Sequence, residues 1–428
     1  MKKEKITAFL IMLQNFILIL FPLIFSKRGN QTRNNAILVL IILTIVYLII
    51  QKKKIDLDKK IVFYGLGCIL FMTISILLLK NDYTAEKFKI YSRNMLAIIF
   101  GFCITQIKLK EKTLKYMLPI LTISSIFPIW RALNEWYKKG FSINERIFGD
   151  NWPTVFAVEL GIFLLVSMIV LLYEKNYIIK IVAIFSMILG YVALVGTQTR
   201  ITILIIPVIY FLILMLKNYK LGIIFSIFFL LIAFLTTAFN FEKYFNRFDL
   251  NNSEGSYSNK IRILTYERSI EMIKKSHLLG IGFYNFQDRS LGISPELKKY
   301  IIINGEDKIV DPKLPVNEST LRIYADTNSH SHNNLLETLL AQGILGLICY
   351  ILFYYYMLKN CILNLKNCIN GEYKKYFILG FFTIIYLFLN GMVESNIYME
   401  KVNQMTFFIL GLALNEKFFC NNKKDNKE

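Results

Sequence analysis

Histidine is nearly missing from this chain: three occur in 428 residues, beside 50 lysines and arginines and 30 aspartates and glutamates. So few imidazoles speak against a histidine-rich metal centre. The six cysteines (Cys68, Cys103, Cys349, Cys361, Cys368 and Cys420) have no metal-ligand spacing. No internal repeat is visible, which counts against a transporter built from repeated halves. A dinucleotide fingerprint is absent too, because Gly280-Ile-Gly282 lacks a preceding strand and a third glycine at the right offset.

Apolar residues fill the space left by these absences. They make up 55% of the chain, and mean hydropathy is +0.46, more than a soluble core can use. Runs long enough to cross a bilayer as helices recur near 6–25, 36–50, 61–79, 91–107, 114–130, 152–173, 178–196, 201–216, 221–240, 335–358, 376–393 and 403–418. The expected fold is an all-α polytopic membrane protein of about twelve spans. Its expected parts are spans 1–9 in residues 1–240, a large outer loop over 241–334, and spans 10–12 with a tail in 335–428.

Charge orients the bundle. The termini and the loops at 52–60, 108–115, 175, 217–220 and 359–375 hold most of the short-loop lysine, so the positive-inside rule places them in the cytoplasm. Both termini are then cytoplasmic and the 241–334 loop is external. The opening MKKEK and its apolar run resemble a secretory signal, but no small-residue cleavage site follows Phe25, so a retained first span is expected. No cysteine falls in an outer loop, and no disulfide is expected. All three tryptophans lie at the outer ends of the fifth and sixth spans or between them, where the headgroup region suits an amphipathic ring.

The net charge of +20 is mostly cytoplasmic lysine, read as topology and attraction to anionic lipid, with no nucleic-acid partner. Arginine is distributed differently. All eleven arginines fall outside or near the outer face on this topology, and a guanidinium fork suits phosphate or carboxylate. Arg200, in Gly196-Thr-Gln-Thr-Arg200, sits in a very short connection between two spans. An arginine held at hydrocarbon is usually paired or functional.

In the outer loop, Ile263, Tyr266, Ile270 and Ile273 recur at helical spacing, which predicts an amphipathic helix over about 258–276 on the membrane surface. Arg262 and Arg268 lie on it, and His277 follows its end as a dipole-stabilised cap. Residues 284–328, with Pro295, Pro312 and Pro315, read as irregular. Then comes Ser329-His-Ser-His-Asn-Asn, where Asn333 or Asn334 can cap the tenth span and His332 stands at its lip, a candidate general base or hydrogen-bonding group. Gly343 and Gly346 lie too far along that helix to touch the imidazole, roughly 16 Å at 1.5 Å per residue. They read as close-packing positions between spans.

His332-Asn333, nine residues, then Gly343-Ile-Leu-Gly346 resembles a signature of the O-antigen ligase and polymerase superfamily. Thr197-x-Thr199-Arg200, Arg262 on an outer helix and His277-Leu-Leu-Gly280-Ile-Gly282-Phe283 follow the same pattern in order. Around Arg200 the chain departs from it, with Thr199 and Ile201 where relatives carry serine and glycine. The resemblance implies a GT-C-type fold in a bacterial inner (plasma) membrane. It implies transfer of a glycan from undecaprenyl pyrophosphate to a sugar hydroxyl of lipid A core at the periplasmic face, with no cofactor and no metal. Arg200 and Arg262 would hold the pyrophosphate and His332 would be the catalytic histidine. Arg146, Arg268, His330 and Asn333 would assist in binding. A repeat-unit polymerase using the same donor is the alternative, and a non-enzymatic transporter of lipid-linked glycan the second.

Overall fold

The computed structural model describes residues 2–415 apart from 28, 56, 78–83, 143–144, most of 217–252, 288, 290–300, 305–306, 311–317, 327 and 369–370. The first half is a run of helices: α1 (Lys2–Phe25), α2 (Gln31–Gln51), α3 (Lys59–Leu77), α4 (Ala85–Gln106), α5 (Glu111–Lys138), α6 (Pro153–Tyr173), α7 (Tyr177–Gly196) and α8 (Arg200–Met215). Next come α9 (Ser253–Lys275), a hairpin of β1 (Ile301–Asn304) and β2 (Asp307–Val310), and α10 (Glu318–Asp326). The chain closes with α11 (Asn334–Asn367), α12 (Gly371–Gly391), a 3-10 turn at Asn396–Tyr398, and α13 (Glu400–Ala413).

Among the described residues, seven helices (α1, α2, α3, α5, α6, α7 and α11) are long and apolar enough to cross a membrane. This is a multi-pass architecture, with fewer such helices than the expected twelve. The helix α8 has 16 residues and α13 has 14. Charges open α4 at Glu86, Lys87 and Lys89, and most of the expected ninth span lies outside the described residues. Apolar side chains such as Phe9, Phe16, Phe63 and Leu66 are exposed on the periphery, the surface a lipid-facing bundle needs. The opposite extreme is α6, apolar on nearly every side except at Glu159 and buried along nearly its whole length, as a central helix must be.

Close approaches set the packing. A Cβ on Gly411 of α13 would meet the Gly101 carbonyl of α4 at 2.8 Å, so these two helices touch backbone to backbone. Charges inside the bundle are paired: Lys401 at the start of α13 meets Glu159 of α6 in a close ion pair with Asp150 at 3.9 Å, and Arg131 pairs with Asp150. Two cations thus stand against two carboxylates, the condition for keeping charge out of water.

Two expectations change here. At 34 residues, α11 would be about 51 Å long if straight, but it breaks at Gly343, whose φ of 75° and ψ of −176° are non-helical. The turn after α9 fills the break: Ile344 N–H donates to the Leu278 carbonyl (2.9 Å), Ile281 N–H to Leu340 (2.8 Å) and Gly282 N–H to Ala341 (3.2 Å). Gly343 is therefore a kink packed against the turn after α9, whereas Gly346 does face a span, with a Cβ there lying 3.4 Å from Phe71 of α3. In α9 the expected apolar stripe is split. Ile273 is buried beside Phe286 and Leu340, Ile263 and Ile270 are exposed, and the buried face also takes Thr265 and Ser269. The stretch expected to be irregular contains the hairpin and α10, while its prolines 295, 312 and 315 lie outside the described residues.

Candidate active site

The loop before α11 is fixed from below. Asn333 caps the helix, its Oδ1 accepting from Leu335 N (2.9 Å) and Leu336 N (3.0 Å), a cap that satisfies two orphan amides. Its Nδ2 donates to the Met392 carbonyl at 2.9 Å, and Asn334 Oδ1 accepts from Asn396 N at 2.7 Å. Buried Glu337 takes the Ser331 N–H at 2.7 Å and the Tyr398 hydroxyl. The loop at 329–334 is thereby laced to the segment joining α12 and α13. His332 lies in the left-handed region with φ 55°, a conformation that histidine tolerates better than most and that often marks functional sites.

That lacing places both histidines over one carboxylate. His332 Nδ1 lies 3.1 Å from Glu394 Oε1 and His330 Nε2 lies 3.6 Å from it. The His332 backbone N–H donates to His330 Nδ1 at 3.2 Å, and the two rings meet edge to face with centroids 4.5 Å apart. Burial pushes the Glu394 carboxyl up, but the His332 hydrogen bond and the charges of His332, His330 and Arg262 outweigh it and bring it to about 2. An ionised carboxylate only accepts, so the His332 tautomer that pairs with it has its proton on Nδ1, and Nε2 is the nitrogen turned to other partners. Burial, then the charge of His332, lowers His330 to about 4, so it stays neutral at pH 7.

Both groups titrate lower in the folded chain than in the unfolded one, so each stabilises the fold above its unfolded value and loses that contribution as pH falls. His330 loses it between 6.5 and about 4, and Glu394 between 4.5 and about 2. The unfolding temperature of the purified protein should therefore drop on acidification from about pH 6.5 to 4, and His330→Phe should flatten that part of the curve. An unchanged slope in the variant would remove His330 from this account.

The dyad opens onto a cavity of about 730 Å³, whose wall includes Arg146, Arg262, His330, His332 and Glu394. A second cavity of about 510 Å³ adjoins it, with Arg146, Thr154, Arg262 and Glu394 common to both. Arg200 lines the second, as the first residue of α8, where helix amides already favour an anion. The α5–α6 loop carries Arg146, whose Nε donates to the Thr197 carbonyl (2.8 Å) and Nη2 to Thr199 (3.2 Å), so it also braces the turn that presents Arg200. Arg262 makes no hydrogen bond or ion pair with any described residue. Three guanidiniums from three distant stretches thus face one volume.

Two expected residues stand elsewhere. Arg268 is committed to Asp326, at 2.7 and 3.0 Å, and to Glu271 at 2.7 Å, and it lines neither cavity; it ties α9 to α10. Asn333 works as the helix cap. Glu394 was not anticipated: it lies 62 residues after His332, alone in the turn after α12, and the only sequence signal for it is an acid at the end of an apolar run. His330, His332 and Glu394 also have their donor atoms within 4.8 Å of one another, the one such metal-capable group among the described residues. Glu394 Oε1 is already engaged by His332, and the Arg262 charge acts on the same carboxylate, which favours the dyad over a cation.

The sequence profile of a family described as O-antigen ligase matches residues 184–351. The matched stretch holds Arg200, Arg262, His330 and His332, and ends before Glu394. No curated protein matches the chain.

Proposed function

We propose that the chain, which is similar to the O-antigen ligase family over residues 184–351, is a member of that superfamily and transfers a glycan from undecaprenyl pyrophosphate to a sugar hydroxyl of lipid A core. On this reading it is a twelve-span, GT-C-type glycosyltransferase with a periplasmic site and no metal. The observation that carries the proposal is the convergence of Arg146, Arg200 and Arg262 on a cavity that shares a wall with the His332–Glu394 dyad.

Each group has a part in that chemistry. Breaking the anomeric bond leaves negative charge on the pyrophosphate, and fixed guanidiniums in a shielded cavity stabilise it as it develops. Arg262 and Arg200 are the clamp, and Arg146 completes it from the side. His332 Nε2 takes the proton of the attacking hydroxyl, while Glu394 holds the Nδ1 proton and stabilises the imidazolium that forms. Arg268 and Asn333 support the site without touching substrate.

The test is transfer by the purified, reconstituted protein with a lipid-linked donor. Activity should survive EDTA, and Arg200→Lys should lower turnover by about 10²-fold although the charge is kept, because the planar fork is lost. Full activity in that variant would remove the clamp. Loss of activity in EDTA, restored by Zn²⁺, would put a metal on the histidine pair.

A further inference from the structure

The wall of the larger cavity also holds a charge arrangement that the transfer step does not use. It is built from the entry of α2 (Asn30), from α4 (Arg93) and from the start of α13 (Glu400). Glu400 Oε2 accepts from Arg93 Nη1 and from Asn30 Nδ2 (3.0 Å), while Oε1 accepts from Arg33 Nη2 at 3.3 Å. Gln404 reaches Oε1 at 3.5 Å and also takes the Arg33 Nε–H. The carboxylate is therefore filled with donors and has little left to offer a ligand.

The charges around it do not cancel. Two guanidiniums share the single Glu400 carboxylate, whereas the neighbouring Lys401, Arg131, Glu159 and Asp150 balance among themselves. Of the two arginines, Arg33 is 1% exposed and Arg93 22%, and only Arg93 lines the cavity. Arg33 spends Nε on Gln404 and Nη2 on Asn30 and Glu400. Arg93 makes one bond to a described residue, from Nη1, which leaves most of its five donors to the cavity. A guanidinium oriented by a carboxylate that it shares with a second arginine, with most of its donors unused by the described residues, is arranged to receive an anion. Exposed Trp152 lines the same volume and offers a ring face for a sugar to lie against.

We infer that this part of the cavity wall, with Arg93 as its contact residue, Glu400 holding Arg93 and Asn30 holding Glu400, is a subsite for a carboxylate or phosphate substituent on the acceptor glycan. The inference rests on the transferase reading above and adds to it a preference: the acceptor is anionic, and its charge is recognised apart from the donor's pyrophosphate.

The test uses full-length protein in nanodiscs and three small probes, methyl glucuronide, glucose 6-phosphate and methyl glucoside, measured both by direct binding and as competitors of the acceptor in transfer. The charged sugars should bind at least about tenfold more tightly than the neutral one, and Arg93→Gln should erase that difference while leaving the KM for donor unchanged. Arg93→Lys should restore part of it. Asn30→Ala, at an exposed position, should weaken it without affecting folding. Carboxylate and phosphate probes distinguish the two sources of charge. Equal binding of all three sugars by the wild type, or a rise in donor KM in Arg93→Gln, would overturn the subsite. Absence of transfer with every acceptor in the wild type would instead overturn the transferase reading, and the binding data would still decide the subsite.

Discussion

His332→Ala should lower glycan transfer by about 10²–10⁴-fold, the range set by loss of a general base, while leaving the protein folded in the membrane. The side chain is partly exposed at a cavity wall, so its removal opens no hole in the core. The informative measurement is a gel of envelope glycolipids from cells carrying the variant, beside an assay for polymer left on undecaprenyl pyrophosphate. Bare lipid A core with long lipid-linked chains identifies a ligase; single repeats on the core identify a polymerase. Glu394→Gln keeps the shape but loses the charge that stabilises the imidazolium, and should fall in the same direction. His330→Ala should be milder, because His330 receives the His332 backbone N–H and presents no base to the hydroxyl. An unchanged ladder in His332→Ala would refute the dyad, and equal losses at both histidines would favour the metal.

The second large effect is expected at Gly343, where the damage is to folding. Its φ and ψ lie in a region essentially reserved for glycine, and a Cβ there would sit 2.6 Å from the Leu278 carbonyl and 2.7 Å from the Leu279 carbonyl. Gly280 faces it with φ 90°, and a Cβ on Gly280 would meet the Ala341 carbonyl at 2.8 Å. Neither backbone can retreat without breaking the bonds that fill the gap in α11. Gly343→Val should cost at least about 1–3 kcal/mol from dihedral strain alone, with the clash added to it. The expected readout is loss of folded, membrane-extracted protein by size-exclusion chromatography, and Gly346→Ala should be milder. Wild-type yield of Gly343→Val would mean that the kink is dispensable.

The sequence makes some of this visible and hides the rest for physical reasons. Apolar runs show where helices lie because burial and lipid both demand them. Arg200 stands out because an arginine between two spans is costly, and His332 because histidine is so scarce. Glu394 and Glu400 carry no such mark. Each is a single acid near the end of a span, and its importance comes from partners distant in the chain, His332 for Glu394 and Asn30 and Arg93 for Glu400. The break in α11 is hidden too, because the apolar pattern runs through Gly343 without interruption and only the neighbouring turn makes a non-helical residue affordable there. Arg268 shows the converse, a residue that reads as an anion ligand until Asp326 is seen beside it.

The fractured helix also works as a shared mount. His332 sits at the tip of the short upper piece of α11, residues 334–342, and Arg262 rides on α9, whose trailing turn is hooked into the fracture itself. The break thereby joins α9 to the same short piece of helix that follows His332, so the two candidate residues hang from one hydrogen-bonded frame.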